Sequence, residues 1–186
     1  MKHKKYLAIF DLDGTLFDTS DVNYFSYRKA LSFYGINLDR DYFVNNCAGR
    51  HYKEFLPVIA GGETDIENIH SLKKEAYIDY INKTRVNTHL FAIINLIREI
   101  YNIALVTTAS RKNSLEILKF FGYEDLFDLI ITQEDVENMK PSPEGFILAM
   151  KYFDTDGGHT IIFEDSAPGI EAANLTGASV FIINKF

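Results

Sequence analysis

The chain has 186 residues, 47% of them hydrophobic and 24% charged, which suits one globular domain or one domain with a small insertion. Its formal net charge of −7 argues against a general nucleic-acid-binding protein, which is normally basic. The single cysteine, Cys47, excludes an intramolecular disulfide and fits a reducing compartment. The first apolar run stops at Asp11, and no stretch approaches the length of a membrane span, so we expect a cytoplasmic protein with no membrane partner.

Five short runs of consecutive apolar residues predict strands that are buried on both faces, as in a parallel sheet. They occupy residues 6–10, 102–106, 128–132, 160–164 and 179–183. Helical patterns lie between the later runs, at 89–101, 113–123, 142–153 and 167–178, with Asn113 and Ser142 as expected N-caps. Because strand and helix alternate, the predicted fold is α/β, with a doubly wound, parallel five-stranded sheet of the Rossmann type.

A long insertion follows the first strand, because about ninety residues separate it from the second, far more than a βα crossover needs. Three helical patterns occupy this stretch, at 21–35, 52–60 (interrupted by Pro57) and 65–83. We therefore expect a catalytic core of residues 1–17 and 86–186 and an inserted α-helical cap of residues 18–85.

Polar side chains follow the ends of the predicted strands, at the edge where open α/β sheets bind ligands. They are Asp11 and Asp13 after the first strand, Thr107 after the second, Lys140 after the third, and Glu164 and Asp165 after the fourth. Carboxylates without histidine or cysteine select a hard cation, and Mg²⁺ is the natural choice. A hydroxyl and an ammonium group suit an oxyanion such as phosphate. The sequence therefore predicts a magnesium ion and a phosphoryl group at this edge.

Four segments, in this order, resemble the motifs of the haloacid dehalogenase (HAD) superfamily of phosphotransferases. They are DLDGTLFDT (11–19), ALVTTAS (104–110), KPSPEGF (140–146) and IIFEDSAPGIEAA (161–173). The resemblance spans the whole predicted core, and the insertion lies where this family carries its helical cap. Within the superfamily, the sequence is most similar in type to the subfamily of phosphatases and β-phosphoglucomutase-like enzymes.

The resemblance implies a role for each matching side chain. Asp11 would be the nucleophile that forms an aspartyl-phosphate, and Asp13 would protonate the leaving oxygen and then activate water. Thr107 and Lys140 would bind the transferring phosphoryl group. Arg50 lies where cap residues of such enzymes meet substrate, and it is a candidate for a second anionic group.

The resemblance also implies a metal site. The side chains of Asp11 and Asp165 and the backbone carbonyl of Asp13 would hold Mg²⁺, and Glu164 would support this set. The metal and the lysine would offset the charge that otherwise keeps an anionic nucleophile away from an anionic substrate.

The implied function is hydrolysis of a small phosphomonoester, a phosphorylated metabolite, through an aspartyl-phosphate. Asp13 disfavours a dehalogenase, which needs no acid at that position. A β-phosphoglucomutase-type mutase stays open, although Asn23 stands near the place where those enzymes carry a cap histidine. Phosphonate cleavage through a cap lysine, Lys29 or Lys53, and a non-catalytic phospho-ligand-binding protein also stay open. The fifth strand exposes an apolar edge, so we expect a monomer or a weak homodimer.

Overall fold

The chain divides into two compact units in a computed structural model, which describes residues 4–62, 64–184 and 186. The first unit comprises the chain up to Asp18 together with Arg85–Phe186. The second unit is Thr19–Thr84. The chain therefore leaves the first unit once, after Asp18, and returns to it at Arg85.

The first unit contains a parallel sheet of five strands and a separate antiparallel pair. In chain order the strands are β1 (Tyr6–Phe10), β2 (Phe17–Asp18), β3 (Arg85–Val86), β4 (Tyr101–Val106), β5 (Leu129–Ile131), β6 (Thr160–Glu164) and β7 (Ser179–Ile182). The five-stranded sheet has the order β5-β4-β1-β6-β7, and β2 pairs with β3. The predicted doubly wound α/β sheet is confirmed, and β1 is its central strand.

Helices connect the strands of the first unit and make up most of the second. They are α1 (Ser20–Ser32), α2 (Arg40–Asn46), α3 (Tyr52–Ala60), α4 (Ile66–Tyr80), α5 (Thr88–Ile97), α6 (Arg111–Phe121), α7 (Glu144–Tyr152) and α8 (Ala167–Asn174). Within the described ranges, no helix has the length and apolar character needed to cross a membrane.

One helix was not predicted, and three other helices differ in detail from their predictions. The helix α2 was not predicted, and α3 runs through Pro57 rather than being interrupted by it. The N-cap of α6 is Ser110, whose Oγ accepts from the backbone N–H of Asn113 at 3.3 Å, so Asn113 lies inside the helix. Ser142 precedes the observed N-cap of α7, although its Oγ accepts from the N–H of Glu144 at 3.3 Å.

Burial explains why β1 can hold the centre of the sheet. Residues 7–10 have no exposed surface, and Leu7 and Ile9 pack into an apolar cluster with the buried face of α7. Phe10 lies opposite Leu105 of β4 and Phe163 of β6. Because the strands on both sides fix its register, the backbone that follows Phe10 has a defined position.

The second unit has its own apolar core, built mainly from α1, α3 and α4. His70 of α4 is half-buried against this core: its ring stacks on Tyr52 at 3.7 Å between centroids, and its Nδ1 lies 3.3 Å from the hydroxyl of Tyr27. Burial, together with the nearby cations of Lys73 and Lys74, lowers the pKa of His70 to about 3. The imidazole is therefore held neutral in the folded unit.

The lowered pKa of His70 predicts that the second unit becomes less stable to unfolding as the pH falls. In the unfolded chain its pKa is about 6.5, so the unfolded state binds a proton first as the pH falls. The stabilising effect of the neutral ring is complete above about pH 6.5 and is lost as the pH falls towards about 3. We expect His70→Phe, which keeps the stacked ring and removes the titration, to reduce the pH dependence of the free energy of unfolding in this window. Urea denaturation at stepped pH measures it, and an unchanged slope would contradict the assignment.

Candidate active site

The carboxyl ends of β1 and β6 bring three of the predicted carboxylates together. Asp11 directly follows β1, Glu164 is the last residue of β6, and Asp165 comes next. The two strands are neighbours, and the N–H of Asp11 donates to the carbonyl of Phe163 at 3.0 Å. Oxygen atoms of these three carboxylates lie within 4.8 Å of one another. The parallel register of the sheet thus brings together three of the four carboxylates that the sequence predicted to converge.

Lys140 lies against this cluster as a buried ammonium group. Its Nζ donates to Asp11 Oδ1 at 2.5 Å, to Glu164 Oε2 at 2.7 Å and to the carbonyl of Val106 at 3.1 Å. These contacts use all three hydrogens that an ammonium group offers. Burial by itself lowers the pKa of Lys140, but the two carboxylates outweigh it and raise the pKa above its ordinary value. The lysine therefore stays charged.

Glu164 is fully buried, and both of its oxygens have donors. One oxygen accepts from Lys140, and Oε1 accepts from the backbone N–H and the Oγ of Ser166 at 3.1 and 2.7 Å. Ser166 is also the N-cap of α8, where its Oγ accepts from the N–H of Gly169 at 3.1 Å. Glu164 thus connects the lysine to the start of α8, and its role towards a metal stays a prediction.

The electrostatics of the cluster favour a cation. Burial raises the pKa of Asp11 well above its usual range, and the charges of Glu164 and Asp165 raise it further, while Lys140 opposes them. Three carboxylates face one ammonium group, so the ionised cluster holds an excess of two negative charges. A divalent cation would balance this excess, and an all-oxygen donor set suits a hard ion. The residues therefore fit a divalent metal.

Asp165 is held by the loop that follows β1. The Oγ1 of Thr15, which is fully buried, donates to Asp165 Oδ1 at 2.9 Å. Gly14 has φ +90°, and a Cβ there would lie 2.0 Å from Asp165 Oδ2, so both its backbone conformation and its close approach require glycine. Burial raises the pKa of Asp165 to about 6, and the charges of Glu164 and Asp13 add to this rise.

Thr107 follows β4, the strand that pairs with β1 on the side opposite β6. It is 4% exposed, and its N–H donates to the carbonyl of Ile131 at 3.0 Å. Its Oγ1 accepts from the N–H of Ala109 at 3.0 Å. Among the residues that the structure describes, the Thr107 hydroxyl donates to no acceptor, so its hydrogen can serve an oxyanion.

Two further predicted site residues, Asp13 and Arg50, are more exposed than the buried residues Asp11 and Glu164. Asp13 is half-buried in the loop after β1, and its charge raises the pKa of Asp165. The role of the Asp13 carbonyl as a metal ligand stays a prediction. Arg50 is exposed and belongs to the second unit, where its N–H donates to the carbonyl of Cys47 at 3.1 Å. Its contact with substrate also stays a prediction.

Sequence reasoning missed the residues that support the cluster, which are Thr15, Ser166 and Gly169. One signal was available, because a serine before Ala167-Pro168 is typical of an N-cap followed by proline in the first turn. Nothing in the pattern indicated that Gly169 leaves room for Glu164, whose carboxyl carbon would lie 2.1 Å from a Cβ at that position.

Comparisons with known proteins show the family to which this chain is matched and proteins with a similar fold. The family described as "Haloacid dehalogenase-like hydrolase" matches residues 8–183. The chain is 28% identical to the "Phosphorylated carbohydrates phosphatase" of Thermotoga maritima, over 91% of this chain and 81% of that protein. The crystal structure of CbbY from Rhodobacter sphaeroides in complex with phosphate matches this chain with a TM-score of 0.87 and 23% sequence identity. The match covers 98% of this chain and 87% of the CbbY chain. The β-phosphoglucomutase of Clostridium difficile has a TM-score of 0.78 and 24% identity, over 97% and 85% of the two chains.

The contact at Gly169 predicts the effect of one methyl group. In Gly169→Ala, the new Cβ meets the buried carboxyl group of Glu164, so either α8 or the lysine–glutamate pair must move. We expect the free energy of unfolding to fall by about 1–3 kcal/mol, as for overpacking in a dense core. Chemical denaturation measures it. Gly62→Ala is the matched control, because no atom lies within 4 Å of a Cβ there, and an equal loss in both variants would contradict the argument.

Proposed function

Because the chain belongs to the haloacid dehalogenase-like hydrolase family, we propose that it is a phosphatase that hydrolyses a small phosphomonoester in a Mg²⁺-dependent reaction. The observation that carries the proposal is Asp11, a buried carboxylate held at 2.5 Å from an ammonium group beside two further carboxylates. A relative named as a phosphorylated carbohydrates phosphatase supports the reaction class.

The proposed reaction uses Asp11 as the nucleophile. An oxygen of Asp11 attacks phosphorus, and the bond to the ester oxygen breaks as Asp13 donates a proton to the leaving alcohol. Asp13, now ionised, takes a proton from water, which attacks the aspartyl-phosphate. Inorganic phosphate leaves, and both aspartates return to their starting states.

The cations make this attack of one anion on another possible. Mg²⁺, held by Asp11, Asp165 and the carbonyl of Asp13, would supply positive charge next to the phosphoryl oxygens. Lys140 would contribute a fixed charge, since its bonds to Asp11 and Glu164 leave it little freedom to turn away. Thr107 would donate its hydroxyl hydrogen to a phosphoryl oxygen.

The names of two similar proteins support a proposal for the substrate class. CbbY from Rhodobacter sphaeroides has been crystallised with xylulose-(1,5)bisphosphate, and an Escherichia coli relative at 22% identity is named as a fructose-1-phosphate phosphatase. We propose a small phosphorylated metabolite as substrate, with the second unit as the cap that selects it and Arg50 as a contact to a second anionic group. We propose a cytoplasmic protein that is a monomer or a weak homodimer.

A sugar-phosphate mutase is the second candidate, favoured by the likeness of the fold to a β-phosphoglucomutase. Asn23 weighs against it. Its Nδ2 donates to the Oγ1 of Thr19 at 3.0 Å, and an amide cannot gate a proton near neutral pH. Water should then compete for the aspartyl-phosphate, so hydrolysis is the better-supported outcome.

Phosphate release from a panel of phosphate esters with Mg²⁺ tests the proposal. We expect turnover with at least one sugar phosphate, its loss on chelation of the metal, and a fall of at least about a thousandfold in kcat for Asp11→Asn. The reason is that an amide is a poor nucleophile and a weak partner for a cation.

Asp154→Asn is the matched control, because it makes the same chemical change at an exposed residue in the first unit. It should keep wild-type activity. Full activity of Asp11→Asn would exclude Asp11 as the nucleophile, and tight binding of phosphate esters without turnover in the wild type would indicate a binding protein instead.

The choice between phosphatase and mutase predicts a product ratio. With a hexose 1-phosphate as substrate, we expect inorganic phosphate to exceed hexose 6-phosphate, since Asn23 provides no titrating group to keep water from the intermediate. A coupled assay for both products measures the ratio. Predominant hexose 6-phosphate with negligible free phosphate would establish the mutase.

A further inference from the structure

Asn87 lies at the point where the chain returns to the first unit, between β3 and α5. It is 6% exposed, and its backbone N–H donates to the carbonyl of Leu16 at 2.9 Å. Its Oδ1 accepts from the N–H of Leu90 at 3.3 Å and caps α5. Its Nδ2 donates to the carbonyl of Thr15 at 3.1 Å. One side chain thus joins a helix start to the loop after β1.

The amide donor separates Asn87 from an ordinary cap. An N-cap needs only an oxygen acceptor, which serine or aspartate also supplies. The Nδ2 bond does a second task, since it holds the backbone of Thr15, a residue with no exposed surface. The hydroxyl of the same threonine donates to Asp165 Oδ1 at 2.9 Å.

Two hydrogen bonds connect Asn87 to Asp165 through Thr15, and the loop that contains Thr15 has little room to move. Gly14, the residue before Thr15, passes so close to the Asp165 carboxylate that a Cβ there would lie 2.0 Å from Oδ2. A shift of this loop therefore changes both the hydrogen bond to Asp165 and the space that its carboxylate occupies. Hydrogen bonds that orient metal ligands are worth about tenfold to a hundredfold in metal affinity.

We propose that Asn87 is a positioning residue for the divalent metal: its amide fixes Thr15, and Thr15 orients the carboxylate of Asp165. The inference rests on the proposed function only in taking Asp165 as a metal ligand. It assigns to the segment by which the chain re-enters the first unit a part in setting the metal affinity of that unit.

Metal binding without substrate tests the inference. Asn87→Ser keeps an N-cap for α5 and the net charge, but its hydroxyl is too short to reach the Thr15 carbonyl. We expect the Kd for Mn²⁺ or Mg²⁺, measured by isothermal titration calorimetry on the whole protein, to rise about tenfold. Turnover should recover towards the wild-type kcat at saturating Mg²⁺, because the residue does not touch the reacting groups.

Asp65→Ala is the control for loss of stability alone. It removes the N-cap of α4 in the second unit, where Asp65 Oδ1 accepts from the N–H of Asn68 at 3.0 Å. Its metal affinity should equal that of the wild type even if its melting temperature falls. An unchanged Kd in a folded Asn87→Ser protein would overturn the inference.

A double-mutant cycle with Thr15→Val tests whether the two residues act through one link. Thr15→Val removes the hydroxyl donor to Asp165, so it should weaken metal binding by itself, and adding Asn87→Ser should then weaken it little further. Independent, multiplicative losses would overturn the proposed path. If Asn87→Ser does not fold, Asn87→Asp, which keeps the cap and also lacks the amide donor, takes its place in the cycle.

The outcomes separate this inference from the proposed function. Weaker metal binding by Asn87→Ser, together with a wild-type protein that hydrolyses no phosphate ester, would support the positioning role and count against the phosphatase. Hydrolysis with unchanged metal affinity in the variant would do the reverse. A wild-type protein that binds no divalent metal would overturn the inference.

Discussion

The burial of Asp11 next to Glu164 and Asp165 is the constraint on which the site depends. Burial and mutual repulsion make three ionised carboxylates costly, and Lys140 offsets only part of that cost. The remaining negative charge would favour the binding of a hard divalent cation. In the proposed reaction the same cation and lysine would also lower the repulsion between Asp11 and an anionic phosphoryl group. One electrostatic imbalance would thus underlie both the proposed metal binding and the proposed catalysis.

The sheet fixes the positions of the acidic residues in this cluster. Neighbouring strands fix β1 on both sides, so the backbone positions of Asp11 and Glu164 follow from the register of buried hydrophobic residues rather than from the charges. Two close approaches complete the arrangement, Gly14 against Asp165 and Gly169 against Glu164. Each carboxylate meets backbone where any larger residue would push it out of place. Packing energy from the apolar core therefore holds like charges close together.

The sequence predicted the parts of this arrangement that local patterns carry. Consecutive apolar residues indicated the strands, and the acidic residues after them indicated a cation site, because all parallel strands end at the same edge. Helix starts were less predictable: Asn113 and Ser110 are both good caps, and which one begins α6 depends on the loop that precedes it. The sequence predicts an interruption at Pro57, but α3 continues through it, although a proline at this position cannot donate the usual backbone hydrogen bond of a helix. Thr15 and Asn87 make supporting contacts to residues that are distant in sequence. Ser166 and Asn87 also look like ordinary helix caps in the sequence, so only the fold reveals these contacts.

The position of Asn87 relates the insertion to the chemistry. A chain that leaves a core domain and returns needs its two connections held together, and here β2 and β3 pair, with the guanidinium of Arg85 bonded to the carboxylate of Asp18. The exit strand follows the loop of Gly14 and Thr15 within a few residues, and the return strand leads directly to Asn87. The loop that is hydrogen-bonded to Asp165 therefore lies only a few residues before the point where the chain leaves the first unit. A mutation that strains β2 or β3 acts next to a loop with a hydrogen bond to the Asp165 carboxylate, so we expect it to disturb the position of that carboxylate as well.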